Sequence, residues 1–126
     1  MQLHLQKPDF DYFLRAADGR SALVNERQLD RSFVVAPDAL IEDWNVRSVA
    51  GLGVADLEPV LALSPELILL GSGHRQTFPS PEILAACLSR GIGLDTMAND
   101  AAARTYQVLA AEGRRVVAAF ILESEA

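Results

Sequence analysis

Apolar positions follow two patterns along this chain: short pieces broken by polar turns in the first third, longer unbroken runs joined by helical spacing in the last half. Phe13-Leu14 and Ala22-Leu23-Val24 flank Asp18-Gly19, a pair that readily takes the positive φ angles of a tight hairpin turn. Asn25-Glu26-Arg27-Gln28 forms a second polar break before Ser32-Phe33-Val34-Val35-Ala36, and Pro37 removes a ladder donor and closes that run. Residues 12–36 therefore predict a three-stranded antiparallel meander whose edges need cover from the second half. Leu40 to Val46 reads as a further strand with Trp44 on one face, and Gly51 and Gly53 mark a turn.

From Asp56 onward the spacing alternates between helix and strand. Asp56 is placed to cap a short helix, Leu57 to Leu63, with Pro59 in its first turn and Pro65 stopping it. Leu67 to Leu70 is apolar without alternation, as expected of a strand covered on both faces. Ser80 caps the next helix with Pro81 at its first position. Ile83, Leu84, Cys87 and Leu88 share a helix face, and Gly91 closes the helix in the left-handed conformation. Ile92 to Thr96 predicts a second strand. Asn99 caps a third helix, Asp100 to Glu112, which Gly113 ends; Ala102, Thr105, Tyr106 and Leu109 share one of its faces. Asp100 and Arg104 form a favourably oriented i,i+4 pair. Val116 to Leu122 is the last strand. Strand, helix, strand, helix, strand implies parallel neighbours joined by right-handed crossovers. The fold class is α/β: an N-terminal antiparallel meander and a C-terminal βαβαβ unit with a mixed sheet, in one domain over residues 1–126.

Composition narrows the function classes. At 126 residues, half of them hydrophobic, the chain can bury roughly two-thirds of its unfolded surface without a metal or disulfide. The net charge of -6, with ten arginines and Lys7 spread along the chain, argues against a nucleic-acid partner, which needs a basic stripe. The single cysteine, Cys87, excludes an internal disulfide and a cysteine-based zinc site. Met1 to Phe10 has no apolar core of a secretory signal, and Val116 to Leu122 is too short to span a bilayer. A cytoplasmic protein, not integral to a membrane, is expected.

Candidate chemistry centres on Gly71, Ser72, Gly73, His74 and Arg75. This loop follows a central strand and precedes a helix, where open α/β sheets bind ligands. Its glycines permit close backbone approach, the helix start at Ser80 favours anions, and His74 and Arg75 add charge. The spacing matches neither a P-loop nor a dinucleotide fingerprint, so a loop that needs glycine only for its turn is the competing reading. His4 and His74 are the only histidines and have no metal-ligand spacing, so no metal or cofactor is expected. Cys87 on an apolar helix face reads as core. Ser72, His74 and Asp95 make a triad on paper only, without a nucleophile elbow. Trp44, the only tryptophan, either packs the seam between the two halves or stands exposed as an anchor for a partner.

Several segments together carry a resemblance. Asp43-Trp44-Asn45-Val46, Gly71-Ser72-Gly73 after an apolar strand and Arg90-Gly91-Ile92 before the next come in order. Thr105-Tyr106-Gln107-Val108-Leu109 and Glu112-Gly113-Arg114 before Val117-Ala118-Ala119 complete the set. Over residues 10–122 the chain resembles the DUF498-type family. This is a small α/β family of unknown biochemical function that includes the mitochondrial respiratory complex I assembly factor three and an adipogenesis-associated protein. The resemblance implies a three-layer β/β/α arrangement and no established catalytic residues. Gln107 stands where the family commonly has Asn, which leaves open any role for an amide there. Asn99 stands where it has Thr, which keeps a capping oxygen. The mitochondrial location does not carry over, because this chain shows no such targeting information. With no convergent acid, base and nucleophile, the expected function is a non-enzymatic interaction or assembly-factor-like module with an unidentified protein partner. A binder of a small anionic ligand, or a weak enzyme, at Gly71–Arg75 is the alternative.

Overall fold

The structure, a computed structural model, describes residues 10–123; His4, Lys7 and the reading of the N-terminal segment lie outside that range. Two sheets carry the fold. β1 (Leu14–Ala17), β2 (Ala22–Val24) and β3 (Arg27–Leu29) form a small antiparallel sheet in the order β1-β2-β3. β4 (Phe33–Ala36), β5 (Ala39–Ile41), β6 (Leu67–Gly71), β7 (Gly93–Met97) and β8 (Val116–Phe120) form a second sheet in the order β5-β4-β8-β6-β7. In it, β6 runs parallel to β7 and β8, whereas β4 is antiparallel to β8 and β5. A 3-10 turn (Val54–Leu57) leads into α1 (Glu58–Leu61); α2 (Pro81–Leu88) and α3 (Asn99–Ala111) make the two crossovers. This is the mixed α/β architecture that the hydrophobic pattern predicts.

The large sheet is buried on both faces, and the side chains alternate between two cores. Phe33, Val35, Leu69, Val116, Ala118 and Phe120 meet Leu14, Ala22, Val24 and Leu29 of the small sheet and Ala102, Ala103, Tyr106 and Ala110 of α3. Phe33 and Phe120 face each other in register, with rings stacked at 5.0 Å. On the other face Val34, Ile68, Leu70, Val117 and Ala119 meet Trp44, Leu57, Val60, Ile83 and Cys87. Period-two alternation with both faces covered reads as an unbroken apolar run, which is why β6 and β8 are plain in the sequence.

The N-terminal reading needs correction. Phe33–Ala36 is not the third strand of the meander; all four of its residues are buried and it pairs with β5 and β8 in the large sheet. The third strand is Arg27–Leu29, inside the stretch expected to be a polar break. Arg27 and Gln28 are exposed and only Leu29 is buried, so an edge strand of three residues reads as loop. Asn25, at φ 53°, makes the turn between β2 and β3. Its Oδ1 accepts from Phe13 N–H at 2.7 Å, standing in for a strand carbonyl. The Leu40–Val46 strand is shorter than expected: pairing ends at Ile41, before Trp44. Asp56 does not cap a helix at Leu57; it sits inside the 3-10 turn, where its Oδ2 accepts from Gly53 N–H at 2.8 Å.

Both crossover helices end on their predicted glycines. At α3, Gly113 has φ 78°, Arg114 N–H bonds to the Leu109 carbonyl, and Gly113 N–H bonds to the Ala110 carbonyl, the paired closure of a Schellman end. Gly91, at φ 72°, does the same for α2, with Ile92 N–H on the Cys87 carbonyl. Arg115, which the sequence reading passes over, ties the bottom of the sheet together. Its Nε and Nη2 donate to the Leu63 carbonyl beyond α1, and Nη1 donates to Asp38 in the β4–β5 turn at 2.5 Å. That hydrogen bond holds the Asp38 carboxyl below its ordinary pKa.

Candidate functional site

Gly71 to Arg75 leaves the carboxyl end of β6, where two shorter connections meet it. Gly71, Ser72 and Gly73 are buried; His74 and Arg75 are exposed. Close packing explains the glycines. A Cβ on Gly71 would lie 2.4 Å from Asn99 Oδ1 and 2.7 Å from the Phe120 ring, and Gly73 has φ 108°. Gly19, at the β1–β2 turn, approaches from the other side, where a Cβ would meet His74 Cβ at 2.6 Å. The β6 loop and the hairpin turn are thus in contact.

The polar groups of the loop are spent within the fold. Ser72 N–H donates to the Met97 carbonyl at 2.9 Å. Ser72 Oγ donates to the Arg75 carbonyl at 2.6 Å and accepts from Thr77 N–H at 3.0 Å. Gln76 Nε2 reaches the Thr96 carbonyl at 2.9 Å. Ser72 therefore has no hydrogen bond to His74, and Asp95 is exposed on β7, so the paper triad is not assembled. Asp18, Gly19, Arg20, His74 and Glu123 line an open cavity of about 450 Å³ beside the loop. Asp18 Oδ1 accepts from the backbone N–H groups of Arg20 and Ser21, which hold its carboxyl below the ordinary range. Two carboxylates on this side oppose an anion there.

Asn99 organises the junction, and not as a helix cap. Ala98 occupies the N-cap position of α3, and Asn99 is the first helical residue, fully buried. Its Oδ1 accepts from Gly73 N–H at 3.0 Å; its Nδ2 donates to the Asp18 carbonyl at 2.8 Å and the Ile121 carbonyl at 2.9 Å. One amide thereby joins the β6 loop, the β1–β2 turn and the end of β8. Its two donors and one acceptor match that demand, whereas a hydroxyl has a single hydrogen to give. Gln107 has a comparable role: its Oε1 accepts from Leu14 N–H at 3.1 Å, linking α3 to β1. An Asn or Gln pointing inward from a helix is the sequence signal for such joints.

The remaining sequence candidates separate. Trp44 is 5 % exposed, packed in the second core, and its Nε1 donates to the Asp56 carbonyl at 2.9 Å. It is a core residue and not an exposed anchor. Cys87 is buried, which pushes its thiol pKa up and leaves it a poor nucleophile. Among the described residues no cluster of His, Cys, Asp and Glu could hold a metal ion.

The profile of a protein family of unknown function, DUF498/DUF598, matches residues 14–121. The chain belongs to this family. A solved structure from Xanthomonas campestris is 56 % identical, covering 100 % of this chain and 98 % of that one, with a TM-score of 0.83. A "13 kDa major membrane protein" of Francisella tularensis subsp. holarctica (strain LVS) is 34 % identical over 113 residues, 89 % of each chain. The NADH dehydrogenase [ubiquinone] 1 alpha subcomplex assembly factor 3 of Danio rerio is 33 % identical over 89 residues. These are 69 % of this chain and 51 % of the assembly factor, so the family domain spans about half of that relative. Among the described residues of this chain, no helix is long and apolar enough to cross a membrane.

Proposed function

We propose that this chain is a non-enzymatic interaction module with an assembly-factor-like role, binding a protein partner in the cytoplasm. The observation that carries the reading is the kinship with a respiratory-complex assembly factor, 33 % identical over 89 residues. The geometry of the loop supports it: Ser72 and Asn99, the polar residues at the end of β6, hold segments of the chain together. Affinity purification of the tagged chain from its native cell, under mild conditions, is expected to recover a reproducible protein partner. Recovery of the chain alone would sink the reading. A second reading rests on Arg75, exposed at the end of the central strand without an ion-pair partner among the described residues. If it receives a small anion, phosphate or a nucleotide stabilises the chain saturably against heat, and Arg75→Ala abolishes the shift. An unchanged melting temperature with every anion removes that reading.

A further inference from the structure

α2 keeps a second apolar stripe outside the core, Pro81, Leu84, Ala85 and Leu88, of which Leu88 is 67 % exposed. The strand that α2 packs against, β7, carries a more specific surface. β7 ends the order β5-β4-β8-β6-β7, and its five residues make it the longest edge strand of either sheet. Met97 faces β6, since its carbonyl accepts from Ser72 N–H. Strand alternation turns Asp95 and Gly93 the same way and leaves Leu94 and Thr96 on the outer side. Gly93 N–H belongs to the β6 ladder, so the trans peptide before it turns the Ile92 carbonyl outward. Of the groups in this outer phase, the Thr96 carbonyl accepts from Gln76 Nε2 at 2.9 Å, and Ile92 N–H is bonded to the Cys87 carbonyl at 3.0 Å. Leu94 N–H, the Leu94 carbonyl, Thr96 N–H and the Ile92 carbonyl have no hydrogen-bond partner among the described residues.

The set left open is complementary to itself. We infer that β7 pairs antiparallel with β7 of a second copy of the chain, about a two-fold axis beside Leu94. In that register Leu94 of each copy exchanges both main-chain groups with Leu94 of its mate, and Thr96 N–H donates to the Ile92 carbonyl across the axis. Every open group is used. The two groups that the register leaves out, the Thr96 carbonyl and Ile92 N–H, are the two already bonded within the chain. Neighbouring registers fail this test: centring on Asp95 or Thr96 needs the Thr96 carbonyl, and centring on Gly93 needs Ile92 N–H. Centring on Asp95 would also set two exposed carboxylates against each other. Centred on Leu94, Asp95 instead faces Gly93 of the mate, and the two Leu94 side chains meet on the α2 side of the sheet. An isologous contact requires this match of a surface to itself, and it removes the open edge. The ladder is short, so the dimer forms at high concentration and dissociates on dilution. The inference stands apart from the assembly-factor reading, which concerns a different protein.

Light scattering coupled to size-exclusion chromatography, and amide exchange read residue by residue by NMR, test it over a wide range of concentration. The native chain is expected to pass from monomer to dimer as concentration rises, with exchange slowing at Leu94 and Thr96. Asp95 N–H, held by β6 in monomer and dimer alike, should show no such change. A Cβ at Gly93 meets only the end of the Leu67 side chain, at 3.4 Å, so the position accepts a substitution. Gly93→Asp sets a carboxylate against Asp95 of the mate and should weaken the dimer about tenfold, since the change acts twice across the axis. Gly93→Lys should tighten it by about as much. Gly93→Asp combined with Asp95→Lys should restore the native affinity. A native chain that stays monomeric throughout overturns the inference and leaves the edge to a strand of another protein. A dimer indifferent to both Gly93 variants overturns it too, as does one in which Leu94 and Thr96 exchange freely. So does a dilute monomer in which those two amides are already protected, because the edge is then covered within the chain.

Discussion

α2 and α3 lie on opposite faces of one five-stranded sheet, yet they bury different shares of the apolar surface they carry. α3 runs for thirteen residues and packs against β6 and β8 while β1 lies along it. Ala102, Ala103, Tyr106 and Ala110 are buried there, and Asp100 and Arg104 form an ion pair on the outer surface. α2 runs for eight residues, with Glu82 its only charged side chain. A helix with one covered face needs one apolar stripe, and the small sheet gives α3 its second cover. α2 has the second stripe without the second cover among the described residues. The difference separates a helix that completes a core from one that carries surface beyond what its own core uses, and each prediction below tests one side of it.

The largest effect is expected where α3 begins. Asn99→Ala leaves Gly73 N–H and the carbonyls of Asp18 and Ile121 without their partner. Each buried orphan costs about 1–3 kcal/mol, so a loss of about 3 kcal/mol or more is expected in chemical denaturation. Asn99→Asp separates this role from capping. Asp is as good an N-cap as Asn, so a capping residue would tolerate the change. At a buried site facing two carbonyls, a carboxylate keeps the acceptor for Gly73 and loses both donors, and stability should fall at least as far as in Asn99→Ala. An Asp variant as stable as the native chain would return Asn99 to the cap.

These outcomes bear on what a sequence can disclose. β6, β8 and the two glycine helix ends are legible because their signals are local: unbroken apolar runs, and a residue without Cβ where φ is positive. The placement of Phe33–Ala36 is not, since a strand's partner depends on segments far away, here β8. Of the site, the glycine requirement of Gly71 and Gly73 was legible and its cause was not. Nothing local to Gly71 discloses that Asn99 and Phe120 press against it. Asn99 before Asp100 has the local form of a cap, and only the arrival of the β1–β2 turn and β8 gives its amide other work. Which of the two readings of Trp44 holds was not legible for the same reason, because its cover comes from the Asp56 turn and the sheet.

A smaller effect compares the helices directly. Leu109 of α3 is half-buried and packed against the first core, so Leu109→Ala removes part of a core contact. About 1–2 kcal/mol is expected, below the range for a fully buried leucine because less apolar surface is lost. Leu88→Ala on α2, where the side chain is exposed, should stay within about 0.5 kcal/mol of native. Equal losses at the two positions would mean that the exposed stripe of α2 is covered within the monomer.

The effect at Tyr106 is small, and pH makes it measurable. The ring is fully buried, edge-on to Phe10, and its hydroxyl donates to the Tyr12 carbonyl at 2.9 Å. Tyr106→Phe keeps the ring packing and loses that hydrogen bond, at a cost of about 1 kcal/mol near neutral pH. Burial first, and the Asp38 charge second, raise the phenol's pKa above its ordinary value of 10.0. The folded chain therefore holds this proton where the unfolded chain releases it. The contribution is fully present below pH 10 and is lost progressively as pH rises above the unfolded value. Denaturation curves from about pH 7 to about pH 11 should show the native chain losing stability at the alkaline end faster than Tyr106→Phe. The gap between them should narrow as pH rises past 10.0. Parallel alkaline slopes in the two proteins would mean that the phenol titrates freely, and that the cover β1 gives α3 opens to water.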